Sequence, residues 1–109
     1  MQHYVRTENG AVVIGFEGEI DLECSAEVRD LLLHSLTQGS DVLVDMSGVA
    51  LIDSSGVASL LEAFQNARKK GKSFTLAGVG NSVMRVFKLA RLETVFIFSK
   101  SVESVLGSR

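Results

Sequence analysis

Two hydroxyls and a carboxylate fall within four residues, Asp53-Ser54-Ser55-Gly56. They lie where the apolar segment Val49-Ala50-Leu51-Ile52 gives way to a helix-period pattern of Val57, Leu60, Leu61 and Phe64. A helix opening here leaves its first backbone N–H groups without intrahelical partners. The serines can cap those groups. The N–H groups can instead hold an anion, and that anion can be a phosphate carried by one of the serines. A serine nucleophile is a further chemistry, but it needs a general base. His3 and His34 fall on strand and helix positions with no evident route to the motif.

Other reactive residue types are sparse. Asp21 suits a cap of the turn before Ser25. Asp45 reads as the end of a strand beside the serines. The single cysteine, Cys24, reads as a small apolar residue that suits a reducing cytoplasm. His3 and His34 are too isolated for a metal cluster, so no metal or other cofactor is expected. Gly78-Val79-Gly80 lacks the rest of a dinucleotide fingerprint and reads as a turn, and neither a Walker lysine motif nor a kinase motif set is present.

The elements that must position these residues follow from periodicity. Tyr4–Glu8 and Ala11–Glu17 are strand-like, with Asn9-Gly10 as the hairpin turn. Gly18-Glu19-Ile20-Asp21 then leads into a helix over Ser25–Leu36, with Ser25 as N-cap and Val28, Leu31, Leu32 and Leu36 as its buried stripe. Asp41–Met46 is a short strand and Ser47–Ile52 a loop. The helix opened by Ser54-Ser55 runs to about Lys70, with Gly71 as a left-handed C-terminal cap and the Leu60, Leu61, Phe64 stripe in the core. Ser73–Ala77 is the next strand, Asn81 or Ser82 caps a helix to Leu89, and Val95–Phe98 is the last strand. Ser99 or Ser101 opens a final helix. The order β-β-α-β-α-β-α-β-α implies an α/β fold with a mostly parallel sheet after one antiparallel hairpin.

Composition agrees with a soluble domain. The 109 residues suffice for one core, and mean hydropathy is +0.25 with short, interrupted apolar runs. None approaches the roughly 18 residues of a membrane span, and no signal peptide is visible at the start. Charge is uneven. Residues 1–67 hold eleven acids and two bases, net −9, and residues 68–109 hold nine bases and two acids, net +7. The basic part lacks interleaved aromatics, which argues against nucleic-acid binding.

Five stretches recur in this order in a known family: Gly18-Glu19-Ile20-Asp21, Val44-Asp45-Met46-Ser47, Ile52-Asp53-Ser54-Ser55-Gly56-Val57, Arg68-Lys69-Lys70-Gly71-Lys72 and Phe74-Thr75-Leu76-Ala77. With them the chain resembles the STAS family, and within it the bacterial anti-sigma factor antagonists. The resemblance implies a single STAS domain over 1–109, with a mixed sheet of about five strands and about four helices. It implies a non-enzymatic, cytoplasmic switch protein. The unmodified form binds an anti-sigma factor that is also a serine kinase, and the sigma factor is released. Phosphorylation turns binding off, and a serine phosphatase restores it. Carried onto this chain, Ser54 is the phosphoacceptor, and Asp21, Asp53, Ser55, Gly56 and Val57 form the partner-binding surface. The alternative is a cytoplasmic STAS subunit of a lipid-type ABC transporter. A sheet edge or an apolar patch could pair two copies.

Overall fold

The computed structural model describes residues 1–108. Its elements are β1 (Gln2–Glu8), β2 (Ala11–Ile20), α1 (Ser25–Thr37), β3 (Asp41–Ile52), α2 (Ser54–Lys69), β4 (Phe74–Ala77), α3 (Asn81–Leu89), β5 (Ile97–Ser99) and α4 (Val102–Leu106). The five strands form one sheet in the order β1-β2-β3-β4-β5. β1 pairs antiparallel with β2 through a turn in which Asn9 and Gly10 both have positive φ, as a tight hairpin requires. The remaining pairings are parallel. The expected order and fold class are those observed.

Alternation along the strands sorts the core into two faces. Ile14, Phe16, Val42, Val44, Met46, Phe74 and Leu76 meet Val28, Leu32 and Leu36 of α1, Leu60 and Phe64 of α2, and Val83 and Phe87 of α3. Ala11, Val13, Leu43 and Ala77 face the other way and are covered by Val102 and Leu106 of α4. Leu60 is fully buried, which contributes about 1.5–3 kcal/mol relative to leaving it exposed. Phe64, Phe74, Phe87, Phe96 and Phe98 interlock, mostly edge to face, where α2 and α3 meet the β4–β5 side.

Several expected boundaries are corrected. Ser47–Ile52 is not a loop, and Gly18–Ile20, which does leave the hairpin after Glu17, is still strand; the two segments pair as the second halves of β3 and β2. Register shifts between Gly15 and Glu17 and between Gly18 and Glu19 each leave one extra residue on β3. Those bulges break the in-out alternation after Met46, so the segment lacks a strand signature in the sequence. Ser25 does not cap α1, because its N–H already bonds to Asp21 O at 2.9 Å; Cys24 holds the N-cap position. Gly80 rather than Asn81 or Ser82 precedes α3. β5 begins at Ile97, since the N–H groups of Val95 and Phe96 are used in a turn onto Leu92 O. Gly71 does follow α2 with φ +69, the left-handed geometry expected of it.

Candidate functional site

β2 and β3 end side by side, and their pairing closes with Ile20 opposite Ile52. One residue on, Asp53 N–H donates to Ile20 O at 3.1 Å, and the chain turns into α2. Asp53 is the N-cap, not either serine: its φ of −105° and ψ of −177° are extended, and its Oδ1 accepts from Ser55 N at 2.9 Å and Gly56 N at 3.0 Å. The Ser55 hydroxyl donates to the same oxygen at 2.5 Å. The other carboxylate oxygen, Oδ2, accepts from Leu22 N–H at 3.2 Å. The Ser55 hydroxyl first, and then the Gly56, Ser55 and Leu22 N–H groups, hold the Asp53 carboxyl below its ordinary pKa.

These bonds separate the two serines. Ser55 is half-buried, and its hydroxyl is engaged with the cap. Ser54 is exposed, and its hydroxyl has no hydrogen-bond partner among the described residues. Gly56 is buried where the helix start touches the sheet, and a Cβ there would come within 2.7 Å of Ile52 Cγ1 and 2.9 Å of Ile20 O. Val57 is only 6% exposed and packs in the main core. Gly56 and Val57 therefore support the site from beneath and offer a partner no side-chain surface. That replaces the surface role expected for them.

Asp21 sits at the rim. Its Oδ1 accepts from Glu23 N–H at 3.0 Å, so it does cap the turn before α1, and that turn is fastened to Asp53 through Leu22. Leu22 itself is 77% exposed, and Leu51 near the end of β3 is 55% exposed. Sequence reasoning missed both. Leu22 carried a signal, an apolar residue between Asp21 and Glu23, whereas Leu51 is masked by the apolar run Val49–Ile52 around it. Glu19, Asp21 and Glu23 border one depression with Met1 and Cys24, which gives the turn fastened to Asp53 an acidic rim.

The other candidates lie elsewhere. Asp45 is part of β3 rather than its end, and it faces Tyr4, whose hydroxyl donates to it at 2.5 Å. His3 reaches Glu27 at 3.6 Å and His34 stands in the last turn of α1, so neither imidazole is directed at Ser54. Cys24 Sγ stays within its own turn, on Glu19 O and Asp21.

A five-stranded mixed sheet with a capped, serine-bearing helix start at the end of its central strand sets the class. Residues 3–100 match the family described as Mlab, STAS domain, and the chain belongs to the STAS family. Among curated relatives it is 24% identical over 99 residues to the anti-sigma-B factor antagonist of Bacillus subtilis, covering 91% of each chain. It is also 30% identical over 82 residues to the intermembrane phospholipid transport system binding protein MlaB of Escherichia coli, covering 72% of this chain and 79% of that one. Among solved structures, an anti-sigma factor antagonist from Mycobacterium paratuberculosis superposes with a TM-score of 0.88 at 19% identity, covering 98% and 92%. The Bacillus cell fate determinant SpoIIAA in the phosphorylated form gives 0.76 at 19%, covering 99% and 100%. At such identities the structural likeness speaks to the fold. No helix among the described residues is long and apolar enough to cross a membrane.

Proposed function

We propose that this single STAS domain is an anti-sigma factor antagonist of the cytoplasm, without catalytic activity of its own. Its unphosphorylated form binds an anti-sigma factor with serine kinase activity, and phosphorylation of Ser54 ends binding until a serine phosphatase acts. The observation that carries this reading is the division of labour at the motif: Ser54 is exposed with a free hydroxyl, while Ser55 is engaged with Asp53. Asp21 and Asp53 stand at the surface for partner contact, and Ser55, Gly56 and Val57 hold the shape of the helix start. Similarity to the B. subtilis antagonist supports the assignment of the pathway.

The direction of the switch follows from magnitudes. A phosphate brings about −1.5 to −2 charges. The start of α2 stabilises an exposed anion by only about 0.3–1 kcal/mol. Burying that anion in an interface without a matched cation costs several kcal/mol, and about 1.4 kcal/mol already changes affinity tenfold. Asp53 beside it adds like-charge repulsion. Binding loses.

The test is incubation with the candidate anti-sigma kinase and ATP-Mg. Mass spectrometry should find one phosphate, on Ser54, and Ser54→Asp should weaken the complex at least tenfold. Phosphate solely on another residue, or full binding by Ser54→Asp, would refute the switch. The similarity to MlaB favours a second reading, a subunit of a lipid-transporting ABC system. Affinity capture separates the two: a transporter ATPase in place of a kinase-like protein decides for the second.

A further inference from the structure

The face of the sheet that carries α4 holds a second polar site, opposite the face on which α2 packs. A cleft of about 250 Å3 lies between β1, the middle of β3, the turn at Gly78 and the link from β5 to α4. Its floor spans three strands, because Tyr4, Gly15 and Asp45 are in register. The Tyr4 ring passes over Gly15, where a Cβ would sit 1.8 Å from a ring carbon, and its hydroxyl reaches Asp45. Ser47 adds its N–H and hydroxyl to the same carboxylate at 3.0 and 2.7 Å. Three donors thus fix one negative charge in the cleft.

The other charges come from separate elements. Arg6 lies over the Tyr4 ring at 5.7 Å and pairs with Glu8 along its own strand at 3.3 Å. Lys100 and Glu103 also line the cleft, and neither makes an ion pair among the described residues. The lining therefore holds two cations, of which Arg6 is already paired with Glu8, and two carboxylates, of which Asp45 already accepts from Tyr4 and Ser47. A polyanion would be repelled by Asp45 and Glu103, and a lone cation by Arg6 and Lys100. A short molecule carrying both charges satisfies Lys100 and Glu103 together. Size narrows it further. At about 250 Å3 the cleft falls below the roughly 300–1,000 Å3 of sites for drug-sized ligands and suits a smaller molecule.

We propose that this cleft binds a small zwitterion of the free α-amino acid class, with its carboxylate towards Lys100 and its ammonium towards Glu103, the two charged side chains of the lining with neither an ion pair nor a hydrogen bond among the described residues. The test is a titration of the isotope-labelled full chain with free L-amino acids, one at a time, to roughly 10 mM, where even weak affinities register. At least one should shift the amide signals of Gly15, Ser47 and Gly78 saturably. Its N-acetyl and carboxamide analogues, each lacking one charge, should bind at least tenfold more weakly. Lys100→Ala and Glu103→Ala, both at exposed positions, should each weaken binding about tenfold with unchanged circular dichroism. No saturable shift with any amino acid, shifts confined to other regions, or equal binding by a singly charged analogue would overturn the proposal.

Discussion

The backbone N–H of Leu22 donates to Asp53 Oδ2 at 3.2 Å, across 31 residues of sequence. The same carboxylate caps α2 through Oδ1. One side chain thus joins the turn carrying Asp21 and Leu22 to the helix carrying Ser54. The exposed leucine, the acidic rim and the free hydroxyl are held as one platform, which limits the conformational entropy a partner must remove on docking.

Removing that carboxylate should loosen both elements. Asp53→Ala is expected to lower the urea midpoint, and Asp53→Asn, which keeps a capping oxygen, to lower it less. The pH dependence has a definite sign. The folded carboxyl titrates below its ordinary value of 3.8, so its contribution is present above that value and is lost as pH falls through the lowered one. The advantage of the native chain over Asp53→Asn should therefore exist at neutral pH and vanish in strong acid. An advantage that persists in acid would remove the charged cap as its cause.

Gly56 should tolerate no larger residue. A Cβ there meets Ile52 Cγ1 at 2.7 Å, Ile20 Cγ2 at 2.8 Å and Ile20 O at 2.9 Å. The two side chains could shift, but Ile20 O is held by Asp53 N–H. Gly56→Ala is expected to destabilise by about 1–3 kcal/mol. Gly80→Ala is the comparison, since a Cβ there meets nothing within 4 Å and only the N-cap preference for glycine over alanine is lost. Equal stability of the two variants in urea unfolding would show that the helix start is not closely packed.

What the sequence disclosed, and what it hid, follows from the range of the interactions. Helix stripes such as Val28, Leu32 and Leu36 are local and periodic, and the element order built on them is the one observed. The second half of β3 was hidden because two bulges break its alternation, although Val49 and Ile52 still point inward. The cap was hidden for a different reason. Asp53, Ser54 and Ser55 are all good capping residues, and only the extended backbone at Asp53 decides among them. The bonds from Leu22 to Asp53 and from Tyr4 to Asp45 span 31 and 41 residues, beyond any local pattern.

The acidic rim predicts how a partner arrives. Glu19, Asp21 and Glu23 share one surface beside the turn fastened to Asp53. A partner with a basic docking surface should associate several-fold faster at low ionic strength, because exposed charges are screened beyond about 8–10 Å at physiological salt. Stopped-flow association across a salt series measures this, and a flat rate would eliminate steering.

Tyr4 supplies the sharpest spectroscopic test, because the chain has one tyrosine and no tryptophan. Burial, and then its hydrogen bond to the Asp45 carboxylate, push the phenol up to about 12 from an ordinary 10.0. Folding thus favours the neutral phenol. Its contribution is present below pH 10.0 and is lost as pH rises through about 12. Gly15→Ala puts a Cβ where the ring passes, and the exposed ring can swing away only by giving up Asp45. In that variant the phenolate absorbance should titrate closer to 10.0 than in the native chain. Tyr4→Phe should cost about 0.5 kcal/mol near neutral pH, the low end for a hydrogen bond because the pair is only partly buried. If Gly15→Ala left the phenol titration unchanged, the ring would not need the space over Gly15, and the floor of the cleft would have to be rebuilt on other contacts.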